Sequence, residues 1–533
     1  MGSGESPRKR PPFVRALPEA TWACMLAACI FLSAPEMAWA APAPAAEPAA
    51  STRPQDDSPR HATAPAAEAA PEPLPAPVTT SHVIELPARS LRFKAIAGPL
   101  RLCDALSAAP VADIAAVAFL LEDTDPAKRP VTFIINGGPG AASAWLNLGG
   151  LGPWRLPLDR GNLPPSASPV TIANADTWLD FTDLVFIDPP GTGFSRILAK
   201  DDGARRHLFS VNGDIEALAA AIRRWLAGNK RLESPKFLAG ESYGGFRAPR
   251  LARRLEETEG VGIAGLILIS PVLDFGWWSE GVSNPLVCAA RLPSQAAAAR
   301  GLTGAEARAS LADVEAYAAG QYITDLLRGE RDPQALERVA ENVAHFTGLD
   351  PALARKLGGR VDPATFAREK NRASAKVTSL YDALQLGYDP APHAAVSEFS
   401  DPVLDAVKVP LASAMADIFA NRLGWFVDAR YEILSETVNH AWDWGSGRGR
   451  LESLSDITHI MALDPALRIL VAHGVTDQVT PYFASKILLG QIPPMGPEDR
   501  LRLKVYGGGH MIYFNDKSRA ELHEDARQLI EGR

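Results

Sequence analysis

Lys236-Phe237-Leu238-Ala239-Gly240-Glu241-Ser242-Tyr243-Gly244-Gly245 is the stretch on which the fold reading turns. An apolar run leads into a serine that has glycine two residues before it and two residues after it. A helical pattern follows, from Phe246 to Leu255. A serine in that setting sits on a sharp turn from strand to helix. Its hydroxyl is exposed there, and the start of the helix favours negative charge beside it. Glycine and serine are common enough that the pattern alone is weak, so its meaning rests on the surrounding chain.

Outward from this stretch, short continuous apolar runs recur at Val131–Ile135, 184–187, 236–239, 264–269 and 467–472, with a sixth at 501–505. Runs of this length suit strands buried on both faces. Earlier segments, 83–86 and 91–95, alternate as half-buried strands do, and a further strand is expected over 115–121. A helix is expected between the second and third runs. Asp214 is its expected cap, and Ile215, Leu218, Ile222 and Leu226 form one apolar face. Strands alternating with helices predict an α/β fold with a mostly parallel central sheet and flanking helices. From 276 to 410 the chain becomes alanine-rich and helical in pattern, with no buried-strand run. This stretch interrupts the strand series and reads as a helical cap inserted over the C-terminal edge of the sheet.

The expected organisation is therefore core over 81–275, cap over 276–410 and core again over 411–533. Two segments precede it. Residues 1–40 read as an export signal: Arg8-Lys9-Arg10 and Arg15, then a mostly apolar 20–34, then the small-x-small site Ala38-Trp39-Ala40. The apolar part is shorter than the ~20 residues a bilayer span needs, so no stable span is expected once the signal is removed. Cys29, after Leu26-Ala27-Ala28, offers a lipoprotein box as a minor alternative. Residues 41–80 are Ala, Pro and Glu with little else, which reads as a disordered tether. A periplasmic or secreted location is expected.

The chain has 533 residues, 47% hydrophobic and 22% charged, which is globular composition. Its net charge of −8, with no basic stripe, argues against a nucleic-acid surface. Of four cysteines, two lie in the expected signal, and Cys103 and Cys288 either pair or stay free thiols. No Cys/His spacing suggests a metal site.

Acyl transfer by serine needs a base, a carboxylate to orient it, and two N–H donors for the oxyanion. In folds with a strand-serine-helix turn the chain order is Ser, acid, His. Asp477 follows the late strand 467–472 at a turn, and His510 lies further on, in Gly507-Gly508-Gly509-His510-Met511. Either residue alone could be an ordinary surface group. In that order, each at a strand end, Ser242, Asp477 and His510 form a candidate triad.

The motifs together resemble the serine carboxypeptidase family, the S10 peptidases, of the α/β-hydrolase fold. The resemblance is carried by Asn136-Gly137-Gly138-Pro139-Gly140, Asp188-Pro189-Pro190-Gly191-Thr192-Gly193-Phe194-Ser195, Gly240-Glu241-Ser242-Tyr243-Gly244-Gly245, the turn at Asp477, and Gly509-His510-Met511. It implies Ser242 as nucleophile, His510 as general base and acid, and Asp477 as its orienting partner. It implies the N–H groups of Gly138 and Tyr243 as the oxyanion hole, and Asn136 and Glu241 as binders of a substrate's C-terminal carboxylate. The expected partner is a peptide with a free C-terminus, with no cofactor and no metal. Two positions depart from the family. Gly150 stands where a second Glu is expected, and Ala141 replaces a Cys after the Gly-rich run. Without a second carboxyl to share a proton with Glu241, a weaker or shifted acid preference is expected, and Arg155 is a candidate substitute partner. An esterase or acyltransferase would use the same triad. A non-catalytic binding module is the reading from another class. Trp277, Trp278, Trp425, Trp442 and Trp444 are candidates for an aromatic wall, or for core.

Overall fold

A computed structural model of the chain describes residues 72–104, 106–158, 163–277, 283–394, 401–445 and 451–532. The expected export segment 1–40, residues 41–71 of the expected tether, and Trp278 lie outside them.

The described residues build a ten-stranded sheet with helices on both faces. Three long strands, β1 (Val78–Leu86), β2 (Arg89–Cys103) and β3 (Pro110–Leu121), form an antiparallel meander. Six shorter strands follow. They are β4 (Val131–Ile135), β5 (Asp183–Ile187), β6 (Lys236–Glu241), β7 (Gly265–Ile269), β8 (Arg468–Gly474) and β9 (Leu501–Tyr506). The six are mutually parallel, and the order across the sheet is β1-β2-β3-β5-β4-β6-β7-β8-β9. The tenth strand, Arg196–Ile197, pairs with β3. Every residue of β4, β5 and β7 is buried, which is why these strands read as unbroken apolar runs. β1 lies at the edge and alternates in exposure.

Helix α1 (Val211–Gly228) covers one face, with Trp225 edge-on to Phe133 of β4 at 5.4 Å. Its cap differs from expectation. The Ser210 hydroxyl accepts the Gly213 N–H at 3.1 Å, while Asp214 is buried within the first turn and pairs with Arg247. Periodicity places a helix well but its first residue poorly, because several polar residues near the start can each serve as a cap. The C-terminal helix Asp516–Glu531 lines the other face through Leu522, Ala526 and Leu529.

Two expected boundaries shift. The sheet begins at Val78 rather than after 80, and Leu74 is already buried with its N–H on Asp113 at 2.9 Å. The polar Thr79 and Ser81 hide this strand in the sequence, because they fill its exposed face. No break occurs at 410, since Pro410 lies inside a continuous helix, Pro402–Asp417. β7 and β8 are hydrogen-bonded neighbours, and the chain between them is mainly helical. It includes helices Pro285–Ala299 and Pro333–Thr347 and the small hairpin Lys376–Thr378 with Leu386–Tyr388. These helices share a core with Val475, Tyr482 and Phe483, which follow β8. Among the described residues no helix is long and apolar enough to cross a membrane.

Candidate active site

The chain runs from β4 out to β5 and returns to β6 on the other side of β4, so the strand order reverses there. In open parallel sheets the carboxyl ends of strands at such a reversal leave a crevice between departing loops. Asn136 follows β4 directly, and Ser242 follows β6. One rung of the sheet continues the alignment, through Glu241, Ile269, Ala472 and Lys504 on β6, β7, β8 and β9. Asp477 and His510 lie beyond that rung on the loops after β8 and β9. Chain order is thereby converted into a row of strand ends.

Ser242 adopts φ 58° and ψ −120° between β6 and helix α2 (Tyr243–Arg254). Non-glycine residues are rarely held there, and such strain clusters at functional sites. The flanking glycines are needed for close approach. A Cβ on Gly240 would lie 2.1 Å from the Gly244 carbonyl oxygen, and one on Gly244 would lie 2.5 Å from that of Ile135. Ser242 is half-buried, while Asp477 and His510 are buried.

His510 Nδ1 and Asp477 Oδ2 are 2.8 Å apart. Asp477 Oδ1 accepts the N–H groups of Val479 and Thr480 at 2.8 and 3.0 Å. Burial disfavours the His510 imidazolium, but Asp477 and then Glu241 outweigh it, so the His510 pKa is raised above its usual value. The Ser242 hydroxyl makes no hydrogen bond among the described residues, so its link to His510 is not closed in this geometry. A short strap after β7 ties the three loops together instead. Val272 N–H donates to the Ser242 carbonyl at 3.2 Å. The Ser270 hydroxyl donates to the His510 carbonyl at 2.7 Å, and the Thr480 hydroxyl lies 2.9 Å from the Ser270 carbonyl and 2.7 Å from Asp477 Oδ2.

The Gly-rich loop after β4 packs backbone to backbone on the serine turn. A Cβ on Gly137 would lie 2.5 Å from the Glu241 carbonyl oxygen and 2.6 Å from Tyr243 N. Gly138, at φ +100°, turns the loop beside it. Among the described residues neither the Gly138 nor the Tyr243 N–H donates to another group, and Tyr243 is the first residue of α2, where no intrahelical acceptor exists. Two supports hold this loop. Arg247 on α2 is buried, binds Asp214 through Nε at 2.6 Å, and donates to the Asn136 carbonyl. Asp188 accepts the Ser143 N–H at 2.8 Å and the Tyr431 hydroxyl at 3.1 Å. Burial pushes the Asp188 carboxyl up to about 6.

Asn136 and Glu241 come together, the Asn136 amide donating to Glu241 Oε2. Tyr513, three residues past His510, donates to Glu241 Oε1 at 2.7 Å. Burial pushes the Glu241 carboxyl up to about 6, against the pull of His510, Tyr513 and Asn136. At Gly150 a Cβ would lie 2.9 Å from Arg519 Cδ and 3.0 Å from Tyr513 Cβ, so these two side chains hold the space a residue there would need. Arg155 is drawn elsewhere, 3.8 Å from Asp516 and 3.2 Å from the Leu156 carbonyl, and no hydrogen bond or ion pair among the described residues joins it to Asn136 or Glu241.

Sequence reading missed Gly137 as the point of closest approach, and it missed Ser270, Thr480, Arg247 and Tyr513. A tyrosine three residues after the histidine was visible, but only the fold brings it to Glu241. It also missed how the segment between β7 and β8 holds the Asp477 and His510 loops. His510 N–H donates to the Tyr381 carbonyl at 2.5 Å, Gln478 N–H to that of Leu380 at 3.0 Å, and the Tyr381 ring stands edge-on to His510 at 5.4 Å. Trp442 and Trp444 lie against the Tyr243 ring at 5.5 and 5.7 Å, whereas Trp425 is core beside Phe194 and Phe419. Cys103 and Cys288 are not joined in a disulfide. Among the described residues no cluster of metal-ligating side chains occurs. A cleft of about 760 Å³ beside Tyr431, Ser435 and Val438 contains none of Ser242, Asp477 and His510.

Residues 118–275 match the family model described as serine carboxypeptidase. A serine carboxypeptidase-like protein of Arabidopsis thaliana is 29% identical over 174 residues, which cover 31% of this chain and 32% of that one. A pheromone-processing carboxypeptidase of Yarrowia lipolytica is 29% identical over 143 residues, 26% of this chain and 21% of that one. The matches thus span a third or less of these relatives' own length. The crystal structure of a prohormone-processing carboxypeptidase from Saccharomyces cerevisiae superposes with a TM-score of 0.51 at 16% identity, covering 82% of this chain and 90% of that one. That likeness speaks for the fold. Residues 118–275, with the Gly-rich loop and the serine turn, are thus similar to serine carboxypeptidases, and the chain carries the α/β-hydrolase fold.

Proposed function

We propose that the chain is an exported serine carboxypeptidase that removes C-terminal residues from peptides through an acyl-enzyme on Ser242. The observation that carries this reading is the buried 2.8 Å contact of His510 Nδ1 with Asp477, on a loop tied to the serine turn through Ser270 and Val272. With Nδ1–H donating to Asp477, Nε2 is left as the proton acceptor. Substrate binding closes the link to Ser242, since catalytic hydrogen bonds tighten in the Michaelis complex. Ser242 Oγ attacks the carbonyl carbon of the last peptide bond as His510 takes its proton. The free N–H groups of Gly138 and Tyr243 stabilise the oxyanion. His510 then protonates the leaving amino acid, and water, deprotonated by His510, hydrolyses the ester. Export rests on residues 1–40, and the mainly helical chain between β7 and β8 acts as the cap.

The test is release of C-terminal amino acids by the full chain, with fluorophosphonate labelling of Ser242. Ser242→Ala abolishes both. Asp477→Asn lowers kcat by roughly 10⁴ by favouring the wrong imidazole tautomer. A wild-type chain that neither labels nor cleaves refutes the proposal and leaves a binding role. The second reading, an esterase or acyltransferase with the same triad, draws on Gly150, which leaves Glu241 without a second carboxyl. Ester turnover without peptide turnover would establish it.

A further inference from the structure

Glu241 immediately precedes the nucleophile and is buried, and a donor reaches each of its oxygens. The Asn136 amide comes from the root of the oxyanion loop, and the Tyr513 hydroxyl comes from the loop that carries His510. The Tyr513 ring is accommodated by two glycines. A Cβ on Gly149 would lie 2.5 Å from Tyr513 Cε2, and one on Gly150 would lie 3.0 Å from Tyr513 Cβ. The Tyr513 carbonyl also faces Arg519 Nη1 at 3.4 Å, and Arg519 is bound to Asp176 and Asp516 at 2.9 and 2.7 Å. The phenol is therefore held on the carboxylate from several sides. We propose that Tyr513 controls whether Glu241 is ionised, and through it whether the Ser242 site accepts a substrate ending in a free carboxylate or one with a neutral terminus.

A phenol donating to a carboxylate stabilises the anion. Burial works the other way and is the larger influence, which places the Glu241 carboxyl near 6. The charged or titratable groups facing Glu241 are His510 and Asp477 from the two catalytic loops, Tyr513, and Tyr381 from the insertion. Burial pushes both phenols well above their usual range, so they remain neutral. Glu241 is thus the group that changes charge in mildly acid solution. The α-carboxylate of a leaving amino acid is two bonds beyond the scissile nitrogen, so it cannot stand far from Ser242. An anionic Glu241 in this poorly solvated site repels it, and a protonated one does not. Free C-termini are then favoured in acid, and amidated or ester termini are tolerated better above the Glu241 transition.

The proposal rests on the carboxypeptidase reading, and the test separates the two. Matched N-acylated peptides with free and amidated C-termini are compared between pH 4.5 and 8 for wild type, Tyr513→Phe and Glu241→Gln. In wild type the free-to-amidated ratio of kcat/KM falls as pH rises through about 6. Tyr513→Phe moves that fall upward by roughly one to two pH units, the worth of one hydrogen bond to a charged group. Glu241→Gln makes the ratio flat. The rate of Ser242 labelling by a neutral fluorophosphonate is followed in parallel, because Glu241 ionisation also strengthens His510 as a base. An inflection that moves in Tyr513→Phe supports the proposal, even if neither peptide is cleaved and the carboxypeptidase reading falls. A fall and an inflection both unmoved in Tyr513→Phe, or equal losses on both peptides at every pH, overturn it.

Discussion

Replacing Gly137 with alanine drives a methyl group into the backbone that carries the Tyr243 N–H. The added carbon would meet the Glu241 carbonyl oxygen at 2.5 Å, Tyr243 N at 2.6 Å and Gly244 N at 2.8 Å. All three are main-chain atoms of the serine turn, so no side-chain rotation relieves the clash. Reaching even a tight separation of ~3.0 Å requires the two loops to part by about half an ångström, which is the tolerance within which a preorganised site keeps its geometry. The expected stability cost is that of overpacking, roughly 1–3 kcal/mol. The expected kinetic cost is larger. The shift moves both candidate oxyanion donors relative to Ser242, and loss of one such donor costs roughly 10²–10³ in kcat. KM should change little, because these donors act on charge that develops in the transition state. The assay pairs steady-state kinetics on an N-acylated dipeptide with thermal unfolding and fluorophosphonate labelling. A folded Gly137→Ala variant with kcat within about twofold of wild type would refute the reasoning, since ~0.4 kcal/mol lies below any real displacement of a donor.

Thr480→Val removes a hydroxyl 2.7 Å from Asp477 Oδ2 and 2.9 Å from the Ser270 carbonyl while keeping the side-chain shape. It should lower kcat roughly tenfold with KM unchanged, and an unaltered kcat would count against its role in positioning the acid. His473 is buried, and its pKa is lowered from 6.5 to about 4 by desolvation. The unfolded chain therefore takes up the proton first. The stability this site contributes is complete above about 6.5 and is lost as pH falls toward 4. Denaturant midpoints should fall across that window in wild type, and His473→Gln should show a shallower fall. Equal slopes would refute that assignment.

Much of the architecture was legible in the chain itself. The buried runs at Val131–Ile135, 184–187 and 264–269 announce central parallel strands, because a strand covered on both faces has no polar side to display. Gly240 and Gly244 are legible for a related reason: the turn they flank leaves no space for a Cβ, whatever surrounds it. The choice of Ser242, Asp477 and His510 as candidates follows from residue type and chain order. What only the tertiary structure decided is which distant groups meet them. Tyr513 on Glu241, Arg247 on the Asn136 carbonyl, Thr480 and Ser270 around Asp477 and His510, and the Tyr381 backbone on His510 join segments with no local pattern in common. Local pattern reports how a residue relates to its neighbours along the chain. Hydrogen bonds between loops depend on where the sheet order carries each strand end, and that is set by the packing of the whole sheet.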